Sequence, residues 1–249
     1  MPTDLTEIEL ADLSPLLKSV VTLFLVMIGL AYLVSMFNLY LTYHLVDGQP
    51  GLTAEDLRRS FYGQRNETLL AAKIDGGSME QFLPVPGHKE AILSWLQDGS
   101  QEEAFQEIQP IIQENCLTCH APGGLMGRRR PLDTYERVTA VTVVDRGEPI
   151  ALWARVAHTH LMSLALVFFS LGVIFSFCSV SQTMKLWFMP MPFVALLLDF
   201  GARALIKYFP SFVYVMMFAG ALMGMSMLVL TLGPLYDMWI RGSRSTSVA

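Results

Sequence analysis

An all-α membrane protein is the fold class this sequence predicts, and three observations carry it. Apolar residues make up 53% of the 249 and charged residues only 16%, too apolar a balance for a soluble domain of this size. Four stretches are long and apolar enough to cross a bilayer as helices. The polar segment after the first of them carries apolar residues at helical spacing and shows neither strand alternation nor an internal repeat. The organisation read from these is an N-terminus with one span (1–45), a polar domain (46–156), a bundle of three spans (157–240) and a short tail (241–249). The net charge of −5 comes with no basic stripe, so nucleic acid is not an expected partner, whereas membrane lipid is.

The first span runs from about Leu16 to Tyr43, with no charge between Val20 and Phe37. It lacks the small-residue cleavage site of a removable signal and reads as an uncleaved signal anchor. The later spans are placed at Ala157–Val180, Leu186–Ile206 and Ser211–Leu235. Pro190 and Pro192 make the start of the third irregular, and Gly220, Ala221 and Gly224 offer a small-residue face for close helix packing in the fourth.

Within the polar domain, Thr53-Ala54-Glu55-Asp56 has the pattern of a capping box opening a helix toward Tyr62. His88 to Gln97 carries Ile92, Leu93, Trp95 and Leu96 and stops at Gly99. Phe105, Ile108, Ile111, Ile112 and Cys116 share one face of a further helix, which Pro110 is expected to kink or restart.

That last face leads into Cys116-Leu117-Thr118-Cys119-His120, the spacing of a c-type haem attachment sequence. Two thiols three residues apart can add to the two vinyl groups of one porphyrin, and the adjoining imidazole then lies under the iron. A redox dithiol does not explain the histidine. A zinc site would need a second cysteine pair, and the chain has only three cysteines in all. One covalent haem c on Cys116 and Cys119, with His120 as iron ligand, is therefore expected.

The second axial ligand is less determined. Met126 is the only methionine between His120 and the next span, and six extended residues reach only about 20 Å, barely enough to pass a porphyrin edge and return. His158 and His160 open the second span and are the preferred candidates, although residues two apart on a helix point roughly 200° apart and cannot both face one iron. The bland alternative is that both are interfacial histidines bonded to loops or headgroups. His44, His88 and Met79 are weaker competitors. Arg128, Arg129 and Arg130 suit haem propionates, an acidic redox partner, or simple contact with anionic lipid or solvent, equally well. Asp199 and Arg203 read as a local ion pair, and Cys178, placed in the second span, as an inert apolar filler.

The run Phe105 to His120, followed by Gly123-Gly124 and Pro131-Leu132-Asp133-Thr134-Tyr135, resembles a monohaem cytochrome c domain. Further on, His158-Thr159-His160-Leu161, Pro192-Phe193, Lys207-Tyr208-Phe209-Pro210 and Gly220-Ala221-Leu222-Met223-Gly224 are similar to a group of bacterial inner-membrane proteins in which such a domain is inserted after one span and before three others. The resemblance implies a helical cytochrome c-like domain on the periplasmic face of the bacterial inner membrane and both termini in the cytoplasm. Lys18, Lys185, Arg241 and Arg244 agree with that topology, while Arg203 and Lys207 fall on the opposite side. The expected function is single-electron transfer at the periplasmic face, with a redox partner or a larger respiratory complex. Two alternatives stand beside it: a quinol-oxidising membrane subunit feeding the haem c, and a haem-based gas or redox sensor. No two histidines stack across spans at one depth as a haem b would need.

Overall fold

The computed structural model describes residues 9–241. A turn of 3-10 helix (Leu10–Asp12) precedes α1 (Pro15–Tyr43). Then come α2 (Ala54–Phe61), α3 (Ala71–Ile74), α4 (His88–Gln97), α5 (Glu102–Asn115), α6 (Leu117–His120) and α7 (Tyr135–Thr139). The chain ends in α8 (Ile150–Ser176), α9 (Gln182–Phe188), α10 (Met191–Ile206) and α11 (Phe212–Tyr236), the last extended by a π-helical turn (Asp237–Arg241). Among the described residues there is no sheet, only one isolated antiparallel bridge between Thr68 and Val144. The chain divides into two compact units, Thr42–Pro149 and the segments before and after it.

The second of these is a membrane bundle. Four stretches, Pro15–Tyr43, Ile150–Ser176, Gln182–Ile206 and Phe212–Arg241, are 29, 27, 25 and 30 residues long, each sufficient for the roughly 20 residues that cross a hydrocarbon core. Leu25, Phe168, Leu171, Phe175, Leu196 and Leu230 form its interior, with Phe168 packed edge-on to Phe193 at 5.6 Å. Leu23, Leu166, Leu197 and Phe218 point outward, as side chains facing lipid do.

Two boundaries differ from the sequence expectation. Helix α8 starts at Ile150 and not near Ala157, because Arg155 lowers the local hydropathy without interrupting the helix, and the Trp153 indole donates to the Phe200 carbonyl at 3.2 Å. Cys178 lies beyond the end of α8, in the turn to α9, where it is buried. The third span is broken at Met189–Pro190, as its prolines suggested, with Val194 N–H bonding back to the Pro190 carbonyl at 3.1 Å.

Three cations gather at one end of the bundle and bond to backbone carbonyls. Lys18 donates to Ala11 at 2.6 Å, Lys185 to Ser176 at 2.7 Å, and Arg241 to Ser179. The last two satisfy carbonyls at and just beyond the end of α8, where a helix leaves acceptors unpaired and favours positive charge. Buried Asp237 accepts the Ser179 N–H at 2.9 Å and faces Arg241 at 3.6 Å. Arg244 lies outside the described residues.

The polar unit is built on the hairpin α4–α5. Ile92, Trp95, Phe105, Ile108, Ile112, Leu132 and Val138 form its core. Phe105 sits between Trp95 and Tyr135, with ring centroids at 5.7 and 5.4 Å. Trp95 donates to the Gln101 carbonyl and Tyr135 to that of Ser100, each at 3.0 Å, so the turn between the helices is held from both sides. The capping box at α2 forms as expected, Thr53 accepting from Asp56 N–H and Asp56 from Thr53 N–H. Pro110 neither restarts nor divides α5, which runs unbroken from Glu102 to Asn115. Its missing N–H forfeits one backbone bond, and the buried face of Phe105, Ile108 and Ile112 holds the helix across the gap.

Candidate functional site

Cys116 caps both the C-terminus of α5 and the N-terminus of α6, so the core-packed helix delivers the motif directly. The four-residue α6 places Cys116 and Cys119 one turn apart. Both thiols are free. Cys116 is half-buried against the core, and burial pushes its thiol up, whereas Cys119 is exposed.

The decisive contact belongs to His120. Its Nδ1 lies 2.7 Å from the Arg130 carbonyl oxygen. A carbonyl only accepts, so Nδ1 carries the proton and Nε2 is left with its lone pair, the arrangement of a metal-ligating imidazole oriented by an outer hydrogen bond.

A tight loop brings that carbonyl into place. Met126 N–H bonds to the Cys119 carbonyl at 2.8 Å, Arg130 N–H to Met126 at 2.9 Å, and Leu132 N–H to His120 at 3.0 Å, with the Leu132 side chain buried in the core. Two glycines permit it. A Cβ on Gly124 would come within 2.5 Å of the Cys119 carbonyl oxygen, and one on Gly127 would strike the Ala121 carbonyl. Neither has positive φ, so the requirement is close backbone approach.

The other sequence candidates are distributed as follows. Met126 belongs to this folded-back loop, its amide tied to Cys119. Arg128, Arg129 and Arg130 all have exposed side chains, and Arg130 enters the site through its backbone. His88, at the start of α4, has Nδ1 3.4 Å from the Asn115 side-chain nitrogen and so lies beside the residue preceding Cys116, a proximity that spacing alone did not reveal. Met79 and His44 belong to the same unit. His158 and His160 lie on α8 in the membrane unit. His160 Nδ1 donates to the Val156 carbonyl at 2.9 Å and its ring is 6.1 Å from that of Phe200. Asp199 and Arg203 form the expected pair at 3.3 Å, both largely buried.

Among the described residues no three His, Cys, Asp or Glu side chains are gathered as a bare metal ion would require. A porphyrin supplies four nitrogens of its own, so an iron within it asks the protein for axial ligands only.

Residues 148–245 match the Aq_1264_TM family model, a transmembrane helical domain. The match takes in α8 to α11, less than half of the chain, and leaves the polar unit outside it. No curated protein and no solved structure matches the chain. With its four apolar helices, the chain is a multi-pass membrane protein in contact with lipid.

Proposed function

We propose that this protein is a membrane-anchored c-type cytochrome, carrying one covalent haem on a periplasmic helical domain and passing single electrons to a redox partner or within a respiratory complex. The observation that carries the reading is the 2.7 Å contact from His120 Nδ1 to the Arg130 carbonyl, because it fixes the tautomer and aim of the imidazole that the attachment sequence assigns to iron. The residues fit the group in other respects. Cys116 and Cys119 are unpaired thiols on one turn, one against an apolar core and one open to an incoming vinyl group. Leu125 and Met126, in the loop folded onto the motif, expose apolar surface that a porphyrin face would cover. When bound, the haem supplies one-electron chemistry at its iron. The chain's own part is to tether it through two thioethers, to hold the His120 Nδ1 proton on the Arg130 carbonyl with Nε2 presented, and to fix the domain at the membrane.

The test is covalent haem itself. Protein produced in a host with haem-attachment machinery should show haem that survives denaturing electrophoresis and a c-type haemochrome spectrum. Cys116→Ala and Cys119→Ala should each lose one thioether and shift that spectrum, and the double variant should retain no covalent haem. Wild-type protein without tetrapyrrole mass would refute the reading. The distal ligand is read from the same preparations: we expect a six-coordinate low-spin signal, and its loss in only one of His88→Ala, His158→Ala and His160→Ala names the ligand.

A further inference from the structure

We propose that the membrane bundle holds one anionic phospholipid in a groove beside the break in the third span, with its phosphate on Lys185 and an acyl chain along α10. The groove holds about 710 Å³, within the size range of specific ligand sites, and opens between the end of α8 and the α9–α10 break. Its polar residues, Ser176, Gln182 and Lys185, belong to the end of α8 and the first turn of α9. Phe193, Val194 and Leu197, from α10, make the apolar floor onto which that polar mouth leads.

Lys185 supplies the charge. Its ammonium donates to the Ser176 carbonyl at 2.7 Å, which seats it on the wall of the groove and leaves two of its three N–H donors for another acceptor. Arg241, at the same end of the bundle, faces Asp237, whereas Lys185 has no carboxylate within ion-pair reach among the described residues. The Gln182 amide, one turn away on the same face of α9, is likewise unpaired among them. An uncompensated cation with an amide beside it asks for an anion that also accepts hydrogen bonds, as a phosphate does.

The depth suits a headgroup. Lys185 lies in the first turn of the span Gln182–Ile206, and Trp187 on α9 is 67% exposed, as aromatic side chains at the membrane interface are. Leu186, Val194 and Leu197 are exposed along the same span, where hydrocarbon covers them. A free phosphate would use the mouth and leave this floor empty. A zwitterionic lipid brings its own ammonium, which competes with Lys185 for the phosphate. A peptide would need partners for its backbone N–H groups, and the floor offers none. The occupant that answers both parts is a lipid with a net negative head. This assignment concerns the bundle alone and stands apart from the haem reading.

The test uses the full-length protein released from detergent micelles into native mass spectrometry, which counts bound lipids directly. Phosphatidylglycerol and phosphatidylcholine with identical acyl chains are titrated separately, and one phosphatidylglycerol should be retained in clear preference. Lys185→Met should weaken that binding about 5- to 10-fold, to the level of phosphatidylcholine, and Lys185→Arg should keep the preference. Val194→Trp, which fills the floor and leaves the bond from Lys185 to Ser176 in place, should weaken it as well. Elution volume and helix content report the fold of each variant; if Lys185→Met alters them, Val194→Trp decides alone. A large excess of glycerol 1-phosphate should leave the lipid bound. Equal retention of the two lipids by wild type, unchanged phosphatidylglycerol binding in the folded variants, or displacement by glycerol 1-phosphate would each overturn the proposal.

Discussion

Asp56→Ala is expected to cost the polar unit about 3–5 kcal/mol, a large part of what holds a domain of ordinary stability folded. The Asp56 side chain is completely buried. One carboxylate oxygen accepts the Asp47 N–H and the other the Thr53 N–H, each at 2.8 Å, and the second also faces the Thr53 hydroxyl at 3.2 Å. Alanine would leave two backbone donors in a closed space with nothing to receive them, at about 1–3 kcal/mol each, one of them the Thr53 N–H that closes the capping box of α2. Asp56→Asn keeps the volume and one acceptor, so it should fall between. Denaturant unfolding of the full chain in detergent, with limited proteolysis between residues 47 and 62, measures both. Wild-type midpoints in the two variants would show that the network is decorative.

The same network fixes a pH dependence. Burial pushes the Asp47 carboxyl up, but the Gln49 N–H, the Thr53 hydroxyl, Asp56 and the Arg59 charge together outweigh it and hold that carboxyl below its ordinary value. A group whose folded pKa is depressed stabilises fully above its unfolded pKa, about 3.9 for aspartate, and loses that contribution as pH falls through the lower folded value. Proteolysis near α2 should therefore be flat at neutral pH and rise only below about pH 4, and Asp47→Asn should shrink the rise while leaving the share of Glu55, whose carboxyl Arg58 and Arg59 also hold below its ordinary value.

How much of this was legible in the sequence follows from which interactions are local. The cap at Thr53, the α4 helix from His88 to Gln97 and the apolar face of Phe105, Ile108 and Ile112 are written within a turn or two, and each forms where expected. The restart at Pro110 does not occur because a proline penalty is local while the packing that outweighs it is not. The start of α8 was misplaced because hydropathy registers Arg155 as an end, although a helix need not stop where lipid does. At the site, the cysteine and histidine spacing was legible. The orienting partner of His120 was not, since any residue could supply that backbone carbonyl and the arginine triplet drew attention to side chains.

Gly127→Ala should have the largest effect on the site itself, and the contrast with a neighbour makes it decisive. Gly127 is buried, and the new Cβ would strike the Ala121 carbonyl and crowd the backbone of Pro122. Those are backbone atoms in a loop pinned by Met126 to Cys119 and by Leu132 to His120, so they cannot swing aside as a side-chain tip would. The loop must open, and the Arg130 carbonyl then leaves His120 Nδ1. Losing such an outer partner costs a metal-ligating histidine roughly 10- to 100-fold in affinity or activity, and the backbone strain should add about 2–4 kcal/mol of destabilisation to the polar unit. Gly123→Ala is the matched substitution: its Cβ meets nothing within 4 Å, so it should stay within about 0.5 kcal/mol of wild type and keep full haem content. Unfolding midpoints and covalent haem per protein, measured side by side, read the two effects separately. If the two alanine variants behave alike, the loop does not position His120 and the orienting hydrogen bond is incidental. If only Gly127→Ala loses stability and haem together, the close backbone approach is what aims the imidazole.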